Sequence, residues 1–292
     1  MNVLLIDGYN LGFRCFYAMP DLSRSDGFPT GALHAFFASL LKLAGQYDMQ
    51  ATAVFFDKGG SQRHLKLLPQ YKANRTQAPD NFRKQIPSMK YLCEIFGFYP
   101  TEMEGVEADD LLASVAVREK EIGNTTFIAS ADKDFAQLVG LNVRQMLPPT
   151  PKCKEWTVLD SIAVKGKFGV TPAQIPDYLS LIGDSADNID GIDGVGPKTA
   201  AKWLKDFGDL ETIIKRYDWL KPEKFRPLIR DGEPLLRRNL QLIRFDTSFE
   251  TPLPQPRTPD FDKIIEFLED MEMKKSLTSL RKFAKDKYSV EL

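Results

Sequence analysis

Residues 1–10 read MNVLLIDGYN, and the fate of the run from Asn2 to Asp7 decides the fold. The run has no basic flank and is too short for a secretory signal. Five residues, NVLLI, breaking off at an acid fit a buried strand. The same form recurs twice, in ATAVFFD at 51–57 and TTFIASAD at 125–132. Between these runs lie helical patterns. Residues 31–45, GALHAFFASLLKLAG, are apolar on most sides, and 106–120, VEADDLLASVAVREK, are amphipathic with an acidic first turn. Strand and helix in alternation predict an α/β fold with a parallel-rich central sheet flanked by helices.

From about residue 171 the pattern turns helical throughout. Thr171-Pro172 opens a helix running to 182, Pro197 opens another over 197–206, and 209–217 and 231–245 read the same way. ETPLPQPRTPD at 250–260 carries four prolines and forms a stiff connector, followed by short helices near 260–271 and 275–287. The expected division is an α/β part over 1–170, a helical part over 171–249, and a connector with C-terminal helices over 250–292 that pack back on the α/β core.

At 43% hydrophobic and 27% charged, the composition is that of an ordinary soluble globular chain. No apolar run approaches the roughly 18 residues of a membrane span. Cys15, Cys93 and Cys153 are too scattered for a disulfide framework or a zinc site, so a reducing, cytoplasmic setting is expected. The net charge of −1 hides strong segregation. Between 58 and 90 stand Lys58, Arg63, Lys66, Lys72, Arg75, Arg83, Lys84 and Lys90 against Asp80 alone, whereas 101–110 hold Glu102, Glu104, Glu107, Asp109 and Asp110 with no base. A basic surface behind a neutral total is compatible with a nucleic-acid partner.

The three strands end in acid: Asp7, Asp57, and Asp132 with Asp134. The carboxyl ends of parallel strands share one edge, where ligands bind. Glu107, Asp109 and Asp110, in the first turn of a helix, reach the same edge, and Asp184 and Asp187 complete a ring. So many carboxylates cannot all ionise together without a cation. An all-oxygen donor set selects Mg²⁺ or Mn²⁺ over Zn²⁺, and there are acids enough for two ions, the arrangement for in-line phosphodiester hydrolysis. Asp190 and Asp193 read as turn residues.

After the acids the chain turns to GVGPKTA at 194–200. Gly194 and Gly196 permit a tight turn, Pro197 starts a helix, and free amides with Lys198 and Thr199 suit a backbone phosphate. The basic stretch 58–90, with RHLKLLPQYKANR at its centre, is placed to hold a strand across the metal edge. Lys72 and Arg75 would neutralise phosphate, and Tyr71 and Phe82 would stack on unpaired bases.

The stretches LLIDGYN, VFFD, RHLKLLPQYKANR, GVEADDLLAS, SADKDFAQL and LIGDSADNIDGIDGVGPKTA together resemble the 5′-nuclease (flap endonuclease) superfamily, nearest the 5′→3′ exonuclease domain of bacterial DNA polymerase I and its free-standing bacterial and phage homologues. The resemblance spans about residues 2–285. It implies a PIN-like 5′-nuclease fold, a helical arch at about 58–95, and a helix-two-turn-helix region that binds duplex DNA. It implies a first metal held by Asp7, Asp57, Glu107 and Asp109, and a second by Asp132, Asp134, Asp184 and Asp187 with Asp110 nearby. Lys72 and Arg75 match the phosphate-engaging pair. Gly194, Gly196 and Lys198 match the hairpin, where relatives also bind potassium. Arg63, Lys66, Tyr71, Arg83, Lys84 and Thr199 are the remaining expected nucleic-acid contacts. The implied activity is structure-specific cleavage of 5′ flaps and ends in replication and repair, on branched DNA or RNA–DNA primer junctions, by a monomer working beside a DNA polymerase. No polymerase part follows within this chain, which would make it a free-standing nuclease, and its arch segment is short. Two rivals are a nuclease specialised for RNA primers and a junction-binding protein without catalysis.

Overall fold

The computed structural model describes residues 1–19 and 21–292. Five strands, β1 (Asn2–Asp7), β2 (Ala51–Phe55), β3 (Tyr99–Thr101), β4 (Thr125–Ala129) and β5 (Val143–Leu147), lie parallel, and β6 (Thr157–Leu159) runs antiparallel to β5. The order across the sheet is β3-β2-β1-β4-β5-β6, so the first strand is central. β1 is buried from Val3 onward, and its alternation explains why. Val3 and Leu5 face one side with Ala53, Phe55, Leu111, Val115 and Ile128. Leu4 and Ile6 face the other with Leu33, Phe36, Phe37, Val54 and Leu92.

One face is covered by the helix Ala108–Glu121, and the other by Gly8–Ala18, Gly31–Gln46 and Ile86–Ile95. The C-terminal helices Phe261–Asp270 and Lys274–Tyr288 join that second face, where Ile264, Leu268 and Leu280 are fully buried in the same core. The proline-rich 250–260 carries no helix or strand.

A separate core forms from helices Ser161–Phe168, Ile175–Ile182, Pro197–Phe207, Leu210–Lys215, Arg226–Asp231 and Glu233–Ile243 around Trp203, Leu181 and Leu204. Trp203 is 1% exposed, and its Nε1 donates to the carbonyl of Lys221 at 2.8 Å. Between the helices Ile175–Ile182 and Pro197–Phe207 sits a two-strand ladder, β7 (Gly183–Asp184) with β8 (Ile189–Asp190). Gly183 has φ +77°, and a side chain there would strike the Gly191 nitrogen at 2.4 Å, so only glycine lets these backbones touch. The stretch 58–95 contains three short helices, Gln62–Leu67, Asp80–Arg83 and Ile86–Ile95, and no helix covers 68–79. Among the described residues no helix is long and apolar enough to cross a membrane.

Candidate metal centre and nucleic-acid interface

The strand ends bring the expected acids to one edge. Asp7 closes β1, caps the next helix by accepting from the Asn10 amide at 3.0 Å, and accepts from Ser130 Oγ at 2.9 Å. Asp57, just past β2, accepts from the Ala108 amide at 2.8 Å, which pins it to the helix carrying Glu107 and Asp109. Asp132, past β4, accepts from the Asp134 amide at 2.9 Å. Gln145 on β5 steadies this turn by donating to the carbonyls of Ser130 and Asp132 at 3.1 and 2.5 Å.

The basic segment and the last acids close over that edge. Lys72 Nζ donates to Glu107 Oε1 at 2.7 Å and lies 4.0 Å from Asp187 Oδ2. Arg75 pairs with Asp187 Oδ1. Tyr71 OH lies 3.2 Å from Glu107 Oε2 and 3.1 Å from Asp187 Oδ2 and shares its one proton between them, joining an acid of the α/β part to one of the helical part. The backbones are tied as well. The Lys72 amide donates to the Asp187 carbonyl at 3.0 Å, Asn74 Nδ2 to the Ser185 carbonyl at 2.6 Å, and Asn188 Nδ2 to the Gln70 carbonyl at 2.7 Å. Lys133, which the sequence reading passed over, stands 2.9 Å from Asp184 Oδ1. Its position between Asp132 and Asp134 was the available signal. Ser130 was missed for the same reason, as a small residue inside an acidic motif.

The crowding leaves its mark on the carboxyls. Burial pushes Asp7 up to about 7, against the hydrogen bonds from Asn10 and Ser130, and Asp132 and Asp57 add to the rise. Asp109 is raised well above its ordinary value by burial and then by Asp7 and Asp132. Asp134 is raised as strongly by burial and by Asp132, Asp184 and Asp187, while Asp132 and Asp57 rise mainly through burial. Burial works against the charge on Lys72, but Glu107, Asp187 and Asp109 outweigh it and hold the amine above the usual lysine range. Asp134 Oδ1 is buried with no hydrogen-bond partner. Among the described residues, no three His, Cys, Asp or Glu side chains stand close enough together to hold an ion as they are. The acids share an edge, and Lys72, Arg75 and Lys133 occupy positions against them.

Several expected site residues lie elsewhere. Asp110 turns away from the edge, accepting from the Asp246 amide at 2.9 Å and facing Arg63 Nη1 at 3.5 Å, with its carboxyl pushed up to about 6 mainly by burial. Neighbouring positions on a helix point about 100° apart, so Asp109 and Asp110 cannot both face one point. The reading of Tyr71 and Phe82 as stacking rings is corrected. Tyr71 is 8% exposed and stacks on His64 at 4.6 Å, and Phe82 is 1% exposed between Phe13 and Phe16. Apolar rings in a charged segment are the part that the core takes up. Arg63 is also committed inward, donating to the carbonyls of Gln241 and Arg244 at 2.5 and 3.0 Å. Lys66, Arg83 and Lys84 are exposed, with Arg83 paired to Asp80.

At the turn, Gly194 takes φ +72°, Gly196 caps the helix Pro197–Phe207 without a side-chain bond, Lys198 is exposed and Thr199 half-buried. Through β7 and β8 this turn is continuous with Asp184.

Residues 2–169 match the 5′-3′ exonuclease N-terminal resolvase-like domain, and 170–263 match the 5′-3′ exonuclease C-terminal SAM fold. The chain is 36% identical over 286 residues to a 5′-3′ exonuclease of Aquifex aeolicus, covering 96% of each. It is 38% identical over 278 residues to the thermostable DNA polymerase I of Thermus thermophilus, covering 93% of this chain and 32% of that one. In fold it is similar to the 5′-exonuclease of bacteriophage T5 solved with bound zinc ions, with a TM-score of 0.73 and 24% identity over 96% of this chain and 100% of that one. It is also similar to the T5 flap endonuclease solved with DNA and metal ions, with a TM-score of 0.72 and 24% identity over 98% and 100%. With both family domains present in order along it, the chain belongs to the 5′-3′ exonuclease family.

Proposed function

We propose that this chain is a divalent-metal-dependent, structure-specific 5′ nuclease that hydrolyses phosphodiesters of flapped, branched or primer-bearing DNA near single-strand/double-strand junctions. The observation that carries this reading is the gathering of Asp7, Asp57, Glu107, Asp109, Asp132, Asp134, Asp184 and Asp187 at one edge, under mutual repulsion, with Lys72 and Arg75 beside them.

The donor set fits hard divalent ions. It is all oxygen, several of its acids hold protons far above the usual carboxyl range, and Asp134 Oδ1 is a buried acceptor without a donor. Asp7, Asp57, Glu107 and Asp109 would hold one Mg²⁺ or Mn²⁺, and Asp132, Asp134, Asp184 and Asp187 a second. Bound ions would supply charge neutralisation at the phosphate and acidify water for attack. Tyr71 orients Glu107 and Asp187. Lys72 and Arg75 exchange these carboxylates for the non-bridging phosphate oxygens. The glycine turn would grip the duplex backbone through the first amides of helix Pro197–Phe207, and its backbone would hold a potassium ion there. A monomer working in the cytoplasm beside a DNA polymerase completes the reading.

The test is cleavage of a 5′-labelled flap in Mg²⁺, in EDTA, and by an Asp184→Ala/Asp187→Ala variant, beside an RNA–DNA hybrid. A short oligonucleotide cut near the junction, lost in EDTA and in the variant, is expected. Intact junction binding with no product in Mg²⁺ would make the protein a binder, and cleavage of the hybrid alone would make it a primer ribonuclease.

A further inference from the structure

Resting on that reading, we propose that Lys58, Lys90 and Glu102 form a pocket for the 5′-terminal phosphate of the strand being cut, so that cuts close to a 5′ end favour an end that carries a phosphate. The group stands at the same edge of the sheet as the clustered acids. Lys58 follows Asp57 beyond β2, and Glu102 follows β3, the outermost strand on that side. Lys90 comes from the helix Ile86–Ile95, its amine 5.3 Å from the centre of the buried Phe56 ring. Lys58 Nζ is 3.4 Å from Glu102 Oε1, and Lys90 pairs with Glu102 Oε2. The backbone here is fixed: the Gly105 amide donates to the Lys58 carbonyl at 2.9 Å, and the Phe56 amide to the Thr101 carbonyl at 2.9 Å. Tyr9 senses both sites. Its ring centre is 6.1 Å from that of Phe56, and its hydroxyl, raised first by burial, is raised further by Asp57 and by Glu102.

Glu102 is an anion held by two amines. Burial works against its charge, but Lys90 and Lys58 outweigh it and keep the carboxyl below its ordinary value. All three side chains are partly exposed, so an incoming anion can take the place of the carboxylate. Among the described residues no other acid pairs with either lysine, and one carboxylate leaves one of the two positive charges unmatched. A phosphate monoester, with a second pKa of about 6, approaches two negative charges at neutral pH, whereas an internal diester carries one. The two amines therefore match a strand end better than a passing backbone. The place along the strand agrees. Lys133, beyond β4, pairs with Asp184 of the helical part, and β2 and β3 lie on the other side of β1 from β4. A duplex held at the glycine turn thus sends the 5′ side of the cut toward β3. Neighbouring strands lie about 4.8 Å apart, and successive phosphates rise about 3.4 Å along a nucleic-acid axis, which puts the lysine pair roughly one or two nucleotides beyond Asp57.

Release of the first nucleotides from nicked and recessed duplexes in Mg²⁺, each bearing either a 5′-phosphate or a 5′-hydroxyl, tests this in the full chain. The wild type is expected to favour the phosphorylated end about tenfold in kcat/KM, with the difference carried by KM. Lys58→Met/Lys90→Met should bring the ratio to about one, and Lys58→Arg/Lys90→Arg should keep it. Glu102→Gln, which frees both amines, should raise it. The ratio compares two substrates on one protein, so a loss of folded enzyme cancels from it. A wild type that cuts both ends equally, or a double methionine variant that discriminates as the wild type does, overturns the pocket and leaves the nuclease reading standing. A wild type that cleaves neither these duplexes nor a 5′ flap removes both.

Discussion

The amide of Lys72 donates to the carbonyl of Asp187 at 3.0 Å, joining the basic segment to the last acidic cluster backbone to backbone. Lys72 itself takes a left-handed conformation, φ +56°, to make that bond, and its amine turns to Glu107. The residue therefore sits at a seam between the two parts of the chain.

Its charge is expected to act in the transition state. Lys72→Met should lower the single-turnover cleavage rate about 100- to 1000-fold, the usual loss for one preorganised donor. Lys72→Arg should recover part of it. A wild-type rate in Lys72→Met would remove the residue from the chemistry.

The acid edge should make metal-free stability depend on pH. Asp7 in the folded chain titrates at about 7, above the ordinary carboxyl value. The folded state thus holds a proton that the unfolded state has released, and this stabilisation is complete below about pH 4 and lost as pH rises through 7. Asp109, Asp132 and Asp134 shift in the same direction. In EDTA, Tm should fall between about pH 4 and 7, more weakly in Asp7→Asn. Mg²⁺ should reverse the trend, because its binding displaces those protons. Differential scanning calorimetry checks both.

Asp134→Asn should separate stability from activity. It removes a carboxyl that the folded chain keeps only by holding a proton the unfolded chain releases, and so should raise Tm in EDTA at neutral pH, by about 2–4 °C per kcal/mol of that cost relieved. Flap cleavage should fall at the same time. A lower Tm in EDTA would mean that the Asp134 carboxylate supports the fold.

Two glycines near the turn should respond oppositely. Gly183→Ala drives a methyl against the Gly191 nitrogen and the Ile189 carbonyl at positive φ, and should cost about 3 kcal/mol or more in urea denaturation. A methyl on Gly196 meets nothing within 4 Å, so Gly196→Ala should change stability little and act only on DNA affinity.

The central strands and their terminal acids were legible because an apolar run ending in aspartate is an unusually direct signal. The strands β3 and β6 were not, being three residues each, and β5 was hidden by Arg144 and Gln145. The sequence brings most of the acids to the sheet edge because they follow strand ends, yet Asp110 shows the limit of reading motifs without helical angle. Tyr71 and Phe82 were misplaced because a run of charge reads as a solvated segment, although its few rings are what anchor it. The role of Lys133 required the fold, since its partner Asp184 is 51 residues away along the chain.

The β7–β8 ladder hangs Asp184 and Asp187 on the helical part, while the other acids ride on the sheet. During synthesis, the segments bearing Asp7 to Asp134 leave the ribosome first, with Asp184 and Asp187 still unmade. On the proposed reading, cleavage would await the folding of the last-made part of the chain against the first.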